Sequence, residues 1–217
     1  MKILFKYTTR SRRSNFLRGY DSIVNNVNSE NYHILISIDK DDSTMFPLPE
    51  LKGNHTIIVG SSKNKIDAIN RDVNEFTKLC DWDILVNVSD DMVFTVKGFD
   101  EVIRKQFTED DLYVHFNDGN QKGNVSTMHI CDKKYYSRFN SVYNKNYISL
   151  WCDVENDEVA KSLGRYKYVG DETIIFNHLH PAWGLANFDA QYIITESFDN
   201  IDRQTYLTRK ANGFKND

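Results

Sequence analysis

The chain has 217 residues, 40% of them hydrophobic and 13% aromatic, so it can bury the core of one large α/β domain or of two small ones. Its formal net charge of −4 argues against a surface built mainly to hold nucleic acid, although a local basic patch stays compatible with it. Three cysteines without paired spacing, Cys80, Cys131 and Cys152, predict free thiols and a reducing compartment.

The first residues, MKILFKYTTRSRR, contain too short an apolar run for a signal peptide. No apolar stretch approaches the length of a membrane span. These features predict a soluble protein of the cytoplasm with no membrane span.

Strand-like and helix-like stretches alternate through the first two-thirds of the chain. The predicted strands are KILFKY (2–7), YHILISID (32–39), HTIIVG (55–60), 84–88, LYVHF (112–116) and STMHIC (126–131). Apolar residues at helical spacing predict helices at 12–27, 66–80, 99–107 and 153–166. The alternation predicts an α/β fold, with a mostly parallel, doubly wound central sheet flanked by helices in a single domain.

The last third is less regular. Residues 172–184 predict a strand that runs into a turn. Residues 198–217 are polar, with alternating charge and little periodicity, and we expect this tail to pack loosely over the body. No repeat or linker divides the chain.

The stretch ILVNVSDDMVF (84–94) joins a near-continuous apolar strand to two adjacent aspartates. Such a strand is typical of a parallel sheet that is buried on both faces. Asp90 and Asp91 follow its carboxyl end, which is the edge where open α/β sheets bind ligands. Two adjacent carboxylates repel unless a cation compensates them, and their oxygens suit a hard divalent metal. A solvated turn or a helix N-cap is the alternative for this pair.

The other predicted strands end in polar groups at the same edge of the sheet. Thr8 and Arg10 supply hydrogen-bond donors, and Asp39 supplies an acceptor suited to a ring N–H or a ribose hydroxyl. Lys65 brings a positive charge close to a helix N-terminus, where backbone N–H groups favour phosphate. Asp39 as a turn cap and Lys65 as a solvated side chain are the alternatives. Together these residues predict a site for a nucleotide, a diphosphate and a metal.

The chain resembles GT-A-fold (Rossmann-like) glycosyltransferases, closest to family 2-like enzymes. The residues that carry the resemblance are SID at the end of the second strand, NKIDAINRDV, VSDDM, WCDVE and NHLHPAWG, in this order over about residues 2–190. Two positions depart from the family pattern. Val88 or Ser89 stands at the first acidic position of the D-x-D segment, and Asn64 replaces the usual glycine of the G-K-x-x-A-x-N segment.

The resemblance implies roles for several of these residues. Asp39 would contact the nucleobase or its ribose, with Lys65 and Asn70 beside the nucleotide. Asp91, with Asp90, would hold Mn²⁺ or Mg²⁺ against the diphosphate of a nucleotide-sugar donor, expected to be a UDP-sugar. The nucleotide-sugar half would cover about 1–118 and the acceptor half about 119–197, followed by the polar tail 198–217.

Asp153 in LWCDVEND is the candidate general base, and Glu155 is the alternative base. An inverting transfer needs one carboxylate to take the proton of the attacking hydroxyl. Trp151 beside it would raise its pKa by desolvation or stack on a sugar face. The structural alternative is that Asp153 caps the helix that follows.

His178 and His180 lie two residues apart. In a strand over 172–180 both side chains point to one face, as metal ligands or diphosphate contacts need. The alternative for each is a structural histidine with satisfied hydrogen bonds.

The sequence therefore predicts a metal-dependent, inverting glycosyltransferase (hexosyl or pentosyl) that moves a sugar from a nucleotide-sugar to a hydroxyl acceptor. One rival is a nucleotidyltransferase that makes a sugar nucleotide, although the glycines and prolines of its usual N-terminal segment are missing. A second rival is a degenerate module that binds nucleotide or glycan without turnover. No P-loop, dinucleotide-binding turn, C-x-x-C pair or nucleophile elbow is present.

The acceptor class stays open among polysaccharide, protein, small molecule and modified nucleic acid. Small stand-alone glycosyltransferases of this kind occur in bacteriophages, so a hydroxymethylated DNA base is one candidate acceptor and the host cytoplasm one location. The residues that would touch phosphates are Arg10, Arg12, Arg13 and Arg18, or Lys133, Lys134 and Arg138.

Overall fold

The computed structural model describes residues 1–215 as nine strands, seven α-helices and two short 3₁₀ turns. The strands are β1 (Ile3–Thr8), β2 (Tyr32–Asp39), β3 (His55–Gly60), β4 (Ile84–Val88), β5 (Met92–Phe94), β6 (Tyr113–His115), β7 (His129–Asp132), β8 (Tyr166–Tyr168) and β9 (Phe176–His178). The helices are α1 (Arg13–Asn26), α2 (Lys65–Leu79), α3 (Phe99–Arg104), α4 (Lys133–Tyr136), α5 (Cys152–Ser162), α6 (Ala190–Glu196) and α7 (Asp199–Ala211). None of the helices in this described part is long and apolar enough to cross a membrane.

Seven strands form one central sheet in the order β3-β2-β1-β4-β7-β6-β8. Strands β3, β2, β1 and β4 run parallel, β7 is antiparallel to both of its neighbours, and β8 is parallel to β6. The prediction of a mostly parallel sheet flanked by helices is confirmed. The four parallel strands end at one edge, so their carboxyl-terminal residues share one rim.

The apolar strands pack on both faces, which explains why they read as continuous apolar runs. Along β1, Phe5 belongs to the core that includes α1 and α3, whereas its neighbour Leu4 belongs to the core that includes α2 and α5. Helix α1 passes close over β1 at Gly19, where any Cβ atom would collide with the hydroxyl of Tyr7. This close approach requires a glycine.

Strand β5 follows the two aspartates immediately and explains the return to apolar residues. It pairs antiparallel with β9, with Met92 opposite His178 and Phe94 opposite Phe176. Met92 and Phe94 are buried in the core beneath α1. The two-stranded sheet thereby brings His178 beside the residues that end β4.

The predicted strand over 172–180 is shorter than expected. Strand β9 ends at His178, and His180 caps a 3₁₀ turn at Pro181–Trp183. The prediction that a single strand presents both histidines on one face is therefore wrong, because the chain bends between them before Pro181.

The segment 198–217 does not pack loosely within its described part. Residues Asp199–Ala211 form α7, in which Asp202 is fully buried. The Asp202 carboxylate accepts hydrogen bonds from the backbone N–H groups of Ile148, Ser149 and Leu150 at 2.7–2.8 Å. These polar contacts and the buried ring of Tyr206 together hold the helix against the body.

Candidate functional site at the carboxyl edge of the sheet

A cleft of about 840 Å³ lies at the carboxyl edge of the parallel strands. All of the predicted site residues except Asn70 and Glu155 line it, namely Thr8, Arg10, Asp39, Lys65, Asp90, Asp91, Asp153, His178 and His180. The fold thus brings residues from both ends of the sequence to one rim.

Asn70 and Glu155 support the scaffold instead. The Asn70 side chain donates to the carbonyl of Tyr143 at 2.8 Å and accepts from the N–H of Val142 at 2.9 Å. Glu155 forms a buried ion pair with Arg209 at 2.9 Å. A nucleotide contact for Asn70 and a catalytic role for Glu155 therefore lack support, since both side chains already have internal partners.

Asp90, just after β4, is buried and accepts hydrogen bonds from two side chains. Its carboxylate accepts from the Thr9 hydroxyl at 2.9 Å and from the Arg12 guanidinium at 3.2 Å. Burial and the neighbouring Asp91 raise the pKa of Asp90 to about 6, against the opposing effect of Arg12 and Thr9. This carboxyl group therefore gains or loses its proton close to neutral pH.

Asp91 lies in a different environment from Asp90. One carboxylate oxygen, Oδ2, accepts from the Tyr192 hydroxyl at 2.7 Å and lies 3.4 Å from Nε2 of His178. Burial alone would raise the pKa of Asp91, but these partners, His178 first, hold it well below its usual range. The other oxygen, Oδ1, is buried without a hydrogen-bond partner among the described residues.

The repulsion between the two adjacent carboxylates is reduced because their pKa values are shifted in opposite directions. Asp90 has its pKa raised, and Asp91 stays ionised beside a histidine. Neighbouring groups whose surroundings push their pKa values apart are a common feature of sites that handle charge.

His178 lies between two carboxylates. Its Nε2 faces Asp91, and its Nδ1 lies 3.3 Å from Oδ2 of Asp118. Burial opposes a charge on this ring, but Asp118 and Asp91 outweigh that effect and raise the pKa of His178 to about 9. The two carboxylates thus favour the protonated form of the His178 ring.

His180 is the more neutral of the two rings. Burial, and then the charge of His178, lower its pKa. Its ring centre lies 5.3 Å from that of His178 and 5.0 Å from that of Tyr192. Nδ1 accepts from the N–H of Ala182 at 3.2 Å, which leaves Nε2 as the ring nitrogen without that backbone bond.

On the other side of the cleft, Arg10 pairs with two carboxylates. Its guanidinium lies 2.6 Å from Asp39 and forms two bonds of 2.9 and 3.0 Å with Asp41. Thr8 brings a buried hydroxyl that has no partner among the described residues. Lys65 is the first residue of α2, directly after the N-cap Asn64. Two groups here, the Thr8 hydroxyl and the Lys65 amine, can donate to a ligand.

Asp153 stands in the first turn of α5. The N-cap of that helix is Trp151, whose φ of 63° is left-handed, so Asp153 is not the cap. A left-handed backbone is strained at a residue other than glycine, so the surrounding structure must hold Trp151 in this conformation. One such contact is the 2.8 Å hydrogen bond that the Trp151 indole donates to Asp199. Burial raises the pKa of Asp153, and the charge of Lys65 opposes this.

The sequence does not predict three residues that shape the cleft, Asp118, Asp189 and Tyr192, and it places Arg12 only among the candidate phosphate contacts. Arg12 pairs with Asp189 at 2.7 Å as well as with Asp90, and its guanidinium lies 3.7 Å from the centre of the Tyr192 ring. Asp118 holds His178. Of these residues, Asp189 could have been noticed in the sequence as a helix N-cap, since it caps α6 by accepting from the N–H of Tyr192.

The two basic clusters are largely occupied by acidic partners. Arg10 and Arg12 are paired as described above, and Arg13 donates to the carbonyl of Pro47. In the second cluster the ion pairs are Lys133 with Asp81, Lys134 with Asp110 and Arg138 with Asp111. Arg18 is exposed.

Within residues 1–215 no group of three or more His, Cys, Asp or Glu side chains is arranged to enclose a metal ion. Any metal held here would depend on oxygen atoms from a ligand in addition to those of the protein.

No protein-family model and no curated protein matches the chain. Solved structures do. A mannosyltransferase from Pyrobaculum calidifontis, in complex with GDP-Man and Mn²⁺, superposes with a TM-score of 0.64 at 10% identity, over 84% of this chain and 59% of that one. S. aureus TarS (residues 1–349) in complex with UDP-GlcNAc gives 0.59 at 10% identity, over 82% and 58%. A cytidylyltransferase from Leptospira borgpetersenii gives 0.54 at 12% identity, over 79% and 76%.

The chain thus spans somewhat less than two-thirds of the length of the two glycosyltransferase structures. At these identities the similarity establishes the fold. The predicted single-domain GT-A (Rossmann-like) architecture is confirmed.

Proposed function

We propose that the chain is a metal-dependent glycosyltransferase that moves a sugar from a nucleotide-sugar to a hydroxyl acceptor with inversion. The observation that carries the proposal is that Asp91, Asp153 and Lys65 line one cleft. Structural neighbours solved with GDP-Man and with UDP-GlcNAc support a nucleotide-sugar as the donor.

The residues present fit a divalent metal at the aspartate pair. Asp91 has one buried oxygen that finds no partner within residues 1–215, and a cation would satisfy this acceptor. Asp91 would hold Mn²⁺ or Mg²⁺ together with oxygens of the donor diphosphate, and Asp90 and His178 adjoin it. When bound, the metal neutralises charge on the leaving nucleoside diphosphate.

The nucleotide would lie across the ends of β1, β2 and α2. The buried Thr8 hydroxyl and the Lys65 amine are available as donors, and Asp39 can accept from a base N–H or a ribose hydroxyl. Lys65 also adds its charge at the start of α2, where the helix dipole favours phosphate. Arg10 fixes the position of the Asp39 carboxylate through their 2.6 Å ion pair.

Asp153 is the proposed general base. It would accept the proton of the acceptor hydroxyl while the acceptor oxygen bonds to the anomeric carbon and the bond from that carbon to the diphosphate oxygen breaks. Burial raises the pKa of Asp153 toward the range in which a carboxylate removes a proton effectively. Attack from the side opposite the leaving group makes the transfer inverting.

A nucleotidyltransferase is the second candidate, because the Leptospira borgpetersenii cytidylyltransferase is also structurally similar, with a lower TM-score than the mannosyltransferase. Such an enzyme would join a nucleoside triphosphate to a sugar phosphate and release diphosphate. It needs no base facing an acceptor hydroxyl, so it assigns no role to Asp153.

The test measures thermal stabilisation by a panel of nucleoside diphosphates with and without Mn²⁺. A ligand that binds only the folded state raises the melting temperature by mass action. We expect one nucleotide to stabilise the wild type in a metal-dependent manner and Asp91→Ala to lose this effect. Asp110→Ala, which removes an exposed carboxylate outside the cleft, is the matched control. Absence of stabilisation by every nucleotide would overturn the proposal.

A further inference from the structure

Asp118 joins the loop 119–127 to the cleft. Its side chain is 1% exposed, and one oxygen accepts from the backbone N–H groups of Asn120 at 2.9 Å and Gln121 at 2.6 Å. The second oxygen accepts from the Thr127 hydroxyl at 3.0 Å and lies 3.3 Å from Nδ1 of His178. Gln121 and Thr127 both line the cleft. A single carboxylate thus meets both the loop and the histidine.

The backbone adds two further links between these segments. The N–H of His178 donates to the carbonyl of Asp118 at 3.3 Å, and the Asn120 amide donates to the carbonyl of His178 at 3.3 Å. The opposite ring nitrogen of His178 faces Asp91. The His178 ring is therefore fixed on both edges.

We propose that Asp118 is a positioning residue of the cleft, which orients the His178 ring toward Asp91 and couples this orientation to the acceptor-side loop 119–127. The inference rests on the proposed function, because the orientation of His178 affects binding only if Asp91 holds a metal. A carboxylate behind a histidine fixes which nitrogen faces the site and how the ring is turned. Asp118 thus acts through His178 and needs no ligand contact of its own.

Asp157 of α5 provides a matched comparison, because its carboxylate also binds the loop 119–127. It is 2% exposed and accepts from the N–H of Ser126 at 3.0 Å. None of the hydrogen bonds described for Asp157 within residues 1–215 reaches His178. Replacing a carboxylate that only holds the loop should have the same effect as replacing Asp157. Replacing a positioning residue should in addition weaken ligand binding in the cleft.

The first experiment measures the affinity of Mn²⁺ with UDP or GDP by calorimetry for the wild type, Asp118→Asn and Asp157→Asn. We expect Asp118→Asn to weaken binding about 10–100-fold, as loss of a carboxylate behind a metal-site histidine does. Asp157→Asn is expected to bind as the wild type does. Unchanged binding by Asp118→Asn, or an equal loss in Asp157→Asn, overturns the proposal.

A double variant tests whether Asp118 acts through His178. Asp118→Asn combined with His178→Gln should bind no more weakly than His178→Gln alone, because the interaction is already lost. Additive losses in the double variant would instead assign Asp118 a separate role and contradict the proposal.

A readout without ligand separates this inference from the proposed function. The Nδ1–H proton of His178, assigned by its absence in His178→Gln, should give a downfield NMR signal in the unliganded wild type and in Asp157→Asn. It should move upfield in Asp118→Asn, because a neutral amide accepts more weakly than a carboxylate. An unmoved signal overturns the positioning role. If no nucleotide binds the wild type, the proposed function fails while this measurement still decides the role of Asp118.

Discussion

The guanidinium of Arg12 lies 3.7 Å from the centre of the Tyr192 ring, and the Tyr192 hydroxyl donates to Asp91 at 2.7 Å. Arg12 also pairs with Asp90 at 3.2 Å and with Asp189 at 2.7 Å. One largely buried cation therefore connects the loop after β1 to helix α6. Both carboxylates that follow β4 are held by this connection.

We expect Arg12→Ala to lower the free energy of unfolding by about 3 kcal/mol, because removing one partner of a buried ion pair leaves the other charge uncompensated. Urea unfolding at neutral pH measures the loss. Arg13→Ala is the matched control, since the Arg13 guanidinium donates to carbonyl groups at the surface. Equal losses in the two variants would show that Arg12 contributes no more than a surface arginine.

Asp153→Asn should lower the rate of sugar transfer by about 10²–10⁴-fold, the usual contribution of a general base. Nucleotide binding should persist, because the amide keeps the size of the side chain. Turnover and calorimetric binding are measured on the same preparation. Glu158→Gln, one turn further along α5 and paired with Lys210, is the control expected to keep full activity. Full turnover by Asp153→Asn would exclude it as the base.

His129 should lower the free energy of unfolding in mild acid, because it is buried as a neutral ring. Burial lowers the pKa of His129 to about 3 in the folded state, against 6.5 as the ordinary value. Between these values the unfolded chain binds a proton that the folded chain does not, so the free energy of unfolding decreases as the pH falls below 6.5.

The pKa values of Asp90 and Asp157 are each raised to about 6, so these two groups increase the free energy of unfolding as the pH falls. The contribution of His129 is therefore measured as the difference between the wild type and a His129 variant. Relative to His129→Gln, the wild type should lose about 1.4 kcal/mol more per pH unit within this range. Urea unfolding at several pH values gives the two curves. Parallel curves would show that His129 is not buried as a neutral group.

Duplex DNA that contains a hydroxymethylated base should bind weakly or not at all. Most of the predicted phosphate contacts are paired with acidic groups, including Arg10 with Asp39 and Arg138 with Asp111. Few cations are left to release counterions from DNA. Fluorescence anisotropy over a range of salt concentrations checks this. Tight binding that weakens steeply with salt would make modified DNA the leading acceptor.

The central sheet could be predicted because β1, β2 and β4 are continuous apolar runs that need burial on both faces. Strand β5 has three residues and carries no period that distinguishes it from a turn, and β9 occupies only three residues of the strand predicted over 172–180. They form because they pair with each other, which is a tertiary effect.

The same distinction holds for the cleft. Thr8, Asp39, Asp90 and Asp91 could be placed from strand order alone, because the carboxyl ends of parallel strands share a rim. The hydrogen-bond and ion-pair partners that shift the pKa values of these residues could not be placed in this way. Asp118 meets His178 through backbone contacts between the segment after β6 and β9, and Asn70 and Glu155 find internal partners that local sequence does not reveal.

Helix α7 gives the cleft an order of assembly during synthesis. Asp202 fastens the backbone of residues 148–150, directly before Trp151 and Asp153, and Asp199 accepts from the Trp151 indole. A nascent chain that has reached residue 197 already contains all nine strands of the described fold. It still lacks the two aspartates that fix the segment leading to Asp153. The wall of the cleft that carries Asp153 therefore reaches its final position only after α7 has been made and has docked.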